Sequence, residues 1–341
     1  GPCVVGLATP VALAAGLNKA ARNHILIRDT SALEQMRNVD VVVFDKTGTL
    51  TEGHPTVIGW LWAQGQEEHY KDVLLAAEST SDHPLAEAIV TALEGEEQVI
   101  PAHLDGFESI AGKGVRVAYQ GAEYWVGSHK LLKDYQANLS DILADMLTQY
   151  ESDGNSIVYF GRENDLLAVI AIKDQLRVTS MEAIRELRIQ DIEICMLTGD
   201  GERTASSVAG SLGIMRFVAD AMPDDKEDFI HKLQLQGKTV AMVGDGVNDA
   251  RALSCADVSI AMGKGTDTLM DTAMITLRTS DLLLLPKVFR LSRQTVSLMY
   301  RNLFWAFIYN TVGIFVAAGV LYPVYDILLS PALAGAATGP L

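Results

Sequence analysis

At 341 residues the chain is long enough for more than one folded unit. Its 43 acidic residues against 27 basic give a net charge of −16, which argues against nucleic acid as a partner, because phosphate binding needs a basic surface. The three cysteines, Cys3, Cys195 and Cys255, are odd in number and far apart, so no disulfide framework is expected and a reducing compartment is favoured.

Residues 1–17 are apolar and uncharged, and Lys19, Arg22 and Arg28 follow. The segment reads as the C-terminal half of a transmembrane helix in a chain cut from something longer. Val39–Asp45, Glu193–Asp200 and Thr239–Asp245 are apolar runs that each end at an aspartate. Continuous apolar runs suit parallel strands buried on both faces. Helical stretches such as Val178–Arg188 and Lys226–Gln236 separate them. The expected fold is therefore α/β with a doubly wound parallel sheet, formed by residues 18–59 and 172–295. Ligands of such sheets bind beyond the carboxyl ends of the strands, where the three aspartates meet. Residues 60–171 read as an inserted α+β domain with short strands such as Gly114–Tyr119 and Ser156–Phe160.

Residues 302–321 form an uncharged apolar run, and about 20 such residues span a hydrocarbon core of roughly 30 Å. Lys287, Arg290, Arg293 and Arg301 precede it, which places that flank in the cytoplasm. Residues 326–341 read as the start of a final transmembrane helix. The middle of the chain is then a cytoplasmic headpiece between membrane segments.

Asp45-Lys46-Thr47-Gly48-Thr49-Leu50-Thr51 follows the first strand directly. An aspartate on a glycine turn at a strand end is placed to attack phosphorus and form a covalent intermediate. The string resembles the phosphorylation motif of P-type ATPases, whose catalytic domain has the haloacid-dehalogenase-like fold. Thr198-Gly199-Asp200, Lys226 and the run Asp245-Gly246-Val247-Asn248-Asp249 occur in that family's order. The resemblance implies that Asp45 is the nucleophile, with Lys46, Thr47, Thr198, Gly199, Asp200, Lys226, Asn248 and Asp249 as catalytic companions. It further implies that Mg²⁺ is held by Asp45, the Thr47 carbonyl and Asp245, and that Asp249 orients Lys226. Thr47 stands where hydrolases of the superfamily carry a second, proton-transferring aspartate, so an aspartyl phosphate here should be long-lived.

In the insertion, Asp82 is a candidate N-cap and Pro84 suits the first turn of a helix over Ala86–Leu93. Glu78 with His83-Pro84, and the loop Gly112-Lys113-Gly114, resemble the ATP site of heavy-metal P-type ATPases; Asn138 is a further candidate there. Pro2-Cys3, Tyr309 and Asn310 resemble the metal path of the copper(I) subgroup. His24, His54, His69, His103, His129 and His231 show no ligand spacing and read as surface residues, and Cys195 and Cys255 as buried structural thiols. The whole resembles a heavy-metal P-type ATPase of the copper(I)-transporting subgroup, truncated at both ends. That implies ATP-driven export of a soft metal, most simply Cu(I), across a bacterial plasma membrane. Its partners would be ATP, Mg²⁺, the lipid bilayer and, for the full-length protein, a cytosolic copper chaperone. A zinc/cadmium pump, a soluble haloacid-dehalogenase-type phosphohydrolase and a non-catalytic binding fragment are the alternatives.

Overall fold

The computed structural model describes residues 2–63, 67–245, 249–263, 273–279 and 281–325, and for 2–9, 67–68 and 323–325 the backbone alone. Among these residues a seven-stranded sheet runs in the order Ile25–Ile27, Ile275–Leu277, Val258–Met262, Val240–Gly244, Val41–Asp45, Glu193–Leu197 and Arg216–Val218. Every neighbouring pair is parallel except the first. The strand Val41–Asp45 is central, and both flanks are apolar for a visible reason. Val42 and Phe44 pack with the helices Ser31–Asn38, Ser180–Ile189 and Glu202–Leu212. Val41 and Val43 point the other way, into the helices Pro223–Leu235 and Ala250–Cys255. Alternate side chains of one strand thus enter opposite cores, each worth roughly 1.5–3 kcal/mol when fully buried.

The second sheet is six-stranded and antiparallel, in the order Thr56–Trp62, Asp165–Lys173, Ser156–Arg162, Ala122–Gly127, Gly114–Tyr119 and Gly106–Ile110. The strands that enter and leave this unit pair with each other from Thr56–Lys173 to Trp62–Ala168. The expected limits of the insertion, 60 and 171, fall inside those two strands. One face packs against the helices Glu67–Glu78 and Pro84–Glu94 through Leu74, Leu75, Ile89 and Leu93. The other covers Trp125, which stacks on Tyr135 with ring centroids 5.2 Å apart. The fold is α/β: a mostly parallel sheet carrying a second α+β unit.

Two helices extend from the parallel sheet. Pro2–Arg22 runs past residue 17 to its basic end and packs against the last helix, where Lys19 Nζ donates to Gln294 Oε1 at 3.3 Å. The last helix, Leu284–Tyr325, has 42 residues and is roughly 60 Å long. The expected end of the headpiece at 295 and start of the membrane span at 302 both fall inside this helix. The helix is continuous there, because no proline occurs between Pro286, in its first turn, and Pro323. It is long and apolar enough to cross a membrane, and only 11% of its most apolar stretch is buried, unlike the core helix of a soluble protein. Residues 326–341 lie outside the described residues. Of the two thiols described, Cys195 is fully buried, whereas Cys255 is only partly so, its Sγ lying 3.3 Å from Glu227 Oε1.

Candidate active site

Asp45 ends the central strand, and the turn Lys46–Leu50 carries the chain away from the sheet. Gly48 adopts φ +77°, and a Cβ there would stand 3.1 Å from Asp245 Oδ2. A side chain would therefore meet both backbone strain and a carboxylate, so glycine is required. Three residues outside the motif hold the turn. Arg177 donates from Nε to the Thr49 carbonyl at 2.7 Å and from a terminal nitrogen to the Gly48 carbonyl at 2.8 Å. Ser180 Oγ donates to the Leu50 carbonyl at 2.8 Å, and Asp174 accepts from Thr51 Oγ1 at 2.6 Å. Sequence reasoning missed these three, since a lone Asp, Arg or Ser after a strand carries no distinguishing pattern.

Lys226, in the first turn of the helix Pro223–Leu235, lies between two carboxylates. Its Nζ is 3.1 Å from Asp45 Oδ1 and 3.2 Å from Asp249 Oδ1. Burial raises the Asp45 carboxyl well above the usual carboxylate range, Asp249 adds to this, and Lys226 opposes it. Burial alone would lower Lys226, but Asp45 and Asp249 together raise it, so the ammonium keeps its charge. Lys46 turns away from Asp45: its Nζ pairs with Asp200 and donates to Ser156 Oγ at 3.4 Å. Burial would raise Asp200, yet Lys46 and its hydrogen bonds hold it below the ordinary carboxylate value. The Thr198 hydroxyl accepts from the Asp200 amide at 3.1 Å, which shapes the Thr198–Asp200 loop. Asn248 lies outside the described residues.

The second unit supplies Glu78, His83, Gly112 and Gly114. The helix after His83 spans Pro84–Glu94, and its N-cap is His83 rather than Asp82. The imidazole Nδ1 accepts from the Leu85 amide at 3.2 Å, a role that Pro84 at the first helical position leaves to the residue before it. His83 is exposed as a residue, and the protein packed around its ring lowers its pKa, with Asp200 opposing and Lys226 adding. Gly114 adopts φ +143°, and a Cβ there would run into the Val126 carbonyl of the paired strand. Close strand pairing therefore demands this glycine. Gly112 meets the other unit, where Met222 Cε would lie 2.9 Å from an added Cβ. Asn138 is exposed and makes no hydrogen bond to the glycine loop or His83 among the described residues. In the membrane segments, Asn310 is 8% exposed and Tyr309 41%, so the pair faces two ways; of Cys3 only the backbone is described.

Glu78 is buried at the end of its helix, and burial pushes its carboxyl up to about 8. Between the ordinary value of 4.5 and about 8, the folded state holds a proton that the unfolded chain has lost. Stability should therefore fall as pH rises through that window. Glu78→Gln should remove the slope and stabilise the unit at the alkaline end by on the order of a few kcal/mol. Melting temperature measured between about pH 5 and pH 8 checks this; parallel slopes for wild type and variant would contradict it.

A buried aspartate at the carboxyl end of a central parallel strand, with a lysine and a second aspartate opposite, defines a phosphoryl-transfer site of the haloacid-dehalogenase kind. The family described as haloacid dehalogenase-like hydrolase matches residues 39–257, and the chain belongs to it. Among curated proteins, the chain is 41% identical to a copper-exporting P-type ATPase of Legionella pneumophila, over 98% of this chain and 45% of that protein. It is 42% identical to a silver exporting P-type ATPase of Salmonella typhimurium, over 98% of this chain and 41% of that one. The chain thus spans less than half the length of these relatives. Among solved structures, a zinc-transporting PIB-type ATPase in its E2.Pi state matches with TM-score 0.63 and 34% identity, over 99% of this chain and 54% of that one. The catalytic domain of the CPx-ATPase CopB-B matches with TM-score 0.66 and 28% identity, over 80% and 97%.

Proposed function

We propose that this chain is the catalytic core of an ATP-driven exporter of a soft metal ion, copper(I) or silver(I), that works through an aspartyl phosphate on Asp45. The observation that carries the reading is the buried Asp45 carboxylate 3.1 Å from Lys226, with Thr47 where a hydrolase would place its proton-transferring acid. A carboxylate oxygen of Asp45 attacks the γ-phosphorus of ATP. The bond to the bridging oxygen breaks, and ADP leaves with the electron pair. Lys226 balances charge on the phosphoryl group, and Thr198, Gly199 and Asp200 hold its oxygens. Asn248 joins them by resemblance. Glu78, His83, Gly112 and Gly114 bind the nucleotide.

Mg²⁺ fits the same place. Asp45, Asp245 and Asp249 set three carboxylates against the single ammonium of Lys226, and Asp249 Oδ2 is buried with no hydrogen-bond partner among the described residues. No group of three His, Cys, Asp or Glu side chains placed to hold a metal occurs among the described residues. The ligand set proposed here is two carboxylates and a backbone carbonyl. Asp45, Asp245 and the Thr47 carbonyl would hold the ion by hard oxygen ligands, and the ion would supply positive charge to the phosphates.

The metal assignment rests on the names of the relatives and on Cys3, Tyr309 and Asn310, since a thiolate selects soft ions. The last helix supports a membrane location; a bacterial plasma membrane and a cytosolic copper chaperone complete the proposal. In the longer protein that contains this chain, ATPase activity should rise with copper(I) or silver(I) and be lost in Cys3→Ala. Stimulation by zinc or cadmium without silver, as the zinc-transporting neighbour would favour, would overturn the metal assignment.

A further inference from the structure

The nucleotide-binding unit meets the other unit at Asp220, besides the contacts that Thr204 makes with the Asn155 carbonyl and Ser207 with the Ser152 carbonyl. Asp220 adopts φ +54°, a left-handed conformation uncommon for a residue with a side chain. Its amide donates to the Asp200 carbonyl at 2.8 Å, so it is tied to the Thr198–Asp200 loop. The next residue reinforces the tie, because the Ala221 amide donates to the Thr198 carbonyl at 2.9 Å. From the opposite side, the Asp220 carbonyl accepts from Lys130 Nζ at 2.6 Å. His129 Nδ1 lies 3.1 Å from the Asp220 carboxylate. His129 and Lys130 open a short helix whose preceding residue, Ser128, donates its amide to the Lys113 carbonyl at 2.9 Å. They are therefore joined to the loop Gly112-Lys113-Gly114, and Gly112 itself rests on Met222 and Pro223. Within a few residues the chain connects the glycine loop, Asp220 and the loop that receives the phosphoryl oxygens.

We propose that Asp220 is a positioning residue that couples closure of the nucleotide-binding unit to the Thr198–Asp200 loop, with His129 and Lys130 as the closing contacts. The proposal rests on the phosphoryl-transfer reading above. Its physical content is that seating the nucleotide-binding unit fixes the Asp220 backbone, which in turn fixes the Asp200 carbonyl. A donor too small to need the nucleotide-binding unit bypasses the coupling. Acetyl phosphate is such a donor: Asp45 attacks its phosphorus, the bond to the acetyl oxygen breaks, and acetate leaves.

The test uses the whole chain in detergent. In the double variant His129→Ala/Lys130→Ala, labelling of Asp45 from ATP should slow about tenfold, the combined worth of the partly exposed His129–Asp220 contact and the Lys130 hydrogen bond. Labelling from acetyl phosphate should not change. Asp220→Gly accepts the left-handed backbone, removes only the His129 contact, and should slow the ATP reaction about threefold. Equal slowing with both donors would mean a general structural role and would overturn the proposal, as would an unchanged rate with ATP. A wild-type chain that labels from neither donor would instead sink the phosphoryl-transfer reading. A second measurement stands apart from labelling: the distance between spin labels at Gln98 and Lys232, exposed sites on the two units. In the double variant its distribution should broaden, and an identical distribution would overturn the coupling.

Discussion

Asp45→Asn leaves the chain unable to take label from ATP, with the signal at background, while ATP binding persists. The amide is isosteric with the carboxylate but lacks a nucleophilic oxygen, so no acyl phosphate forms. Folding should survive, because burial already raises the Asp45 carboxyl and a neutral group therefore costs little at this position. Binding should survive because the proposed nucleotide contacts, Glu78, His83 and the glycine loop, belong to the other sheet unit. Acid-quenched labelling and a nucleotide titration on the same preparation read both quantities. Labelling of the Asn variant at the wild-type level would show that phosphate goes elsewhere.

Lys226→Ala should be nearly as damaging, with an additional effect on stability. The ammonium is shared by Asp45 and Asp249, and its side chain is only 13% exposed. Removing one partner of a buried charge cluster costs about 3–5 kcal/mol, because the remaining charges stay buried without compensation. Losing a donor aimed at the transferring group costs about 10²–10³-fold in rate. The sign of the pH effect follows from the same geometry. Lys226 is what opposes the upward shift of Asp45, so without it the nucleophile stays protonated to higher pH. The residual labelling rate should therefore peak at a more alkaline pH than that of wild type. An unshifted pH profile would mean that the contact at 3.1 Å does not persist during the reaction.

The central part of this site was legible because it obeys simple rules. A strand buried on both faces must be apolar throughout, so Val41–Asp45, Glu193–Leu197 and Val240–Gly244 stand out from their surroundings, and each run delivers its aspartate to the same edge. The sheet margins did not stand out. Ile25–Ile27, Arg216–Val218 and Ile275–Leu277 have three residues each, too few for any periodicity to emerge. Aspartate is a common cap, so the sequence points to Asp82, whereas in the fold the His83 imidazole nitrogen accepts the bond. Lys46 belongs to the same motif as Asp45, yet only the fold shows that it faces Asp200 and Ser156. His129 reads as a surface residue with no partner in range; its partner, Asp220, is distant in sequence and comes close only when the two sheets meet.

The most direct test of the account is a chase experiment on the chain itself. The purified protein is labelled with radioactive ATP and Mg²⁺, then diluted into unlabelled ATP, and acid-stable label on the peptide containing Asp45 is followed over time. Thr47 offers no base for water, and general-base help is typically worth about 10²–10⁴-fold. The account predicts a hydroxylamine-labile label on Asp45 that persists for minutes with little steady-state hydrolysis. Label on another residue, or decay within seconds, would contradict it.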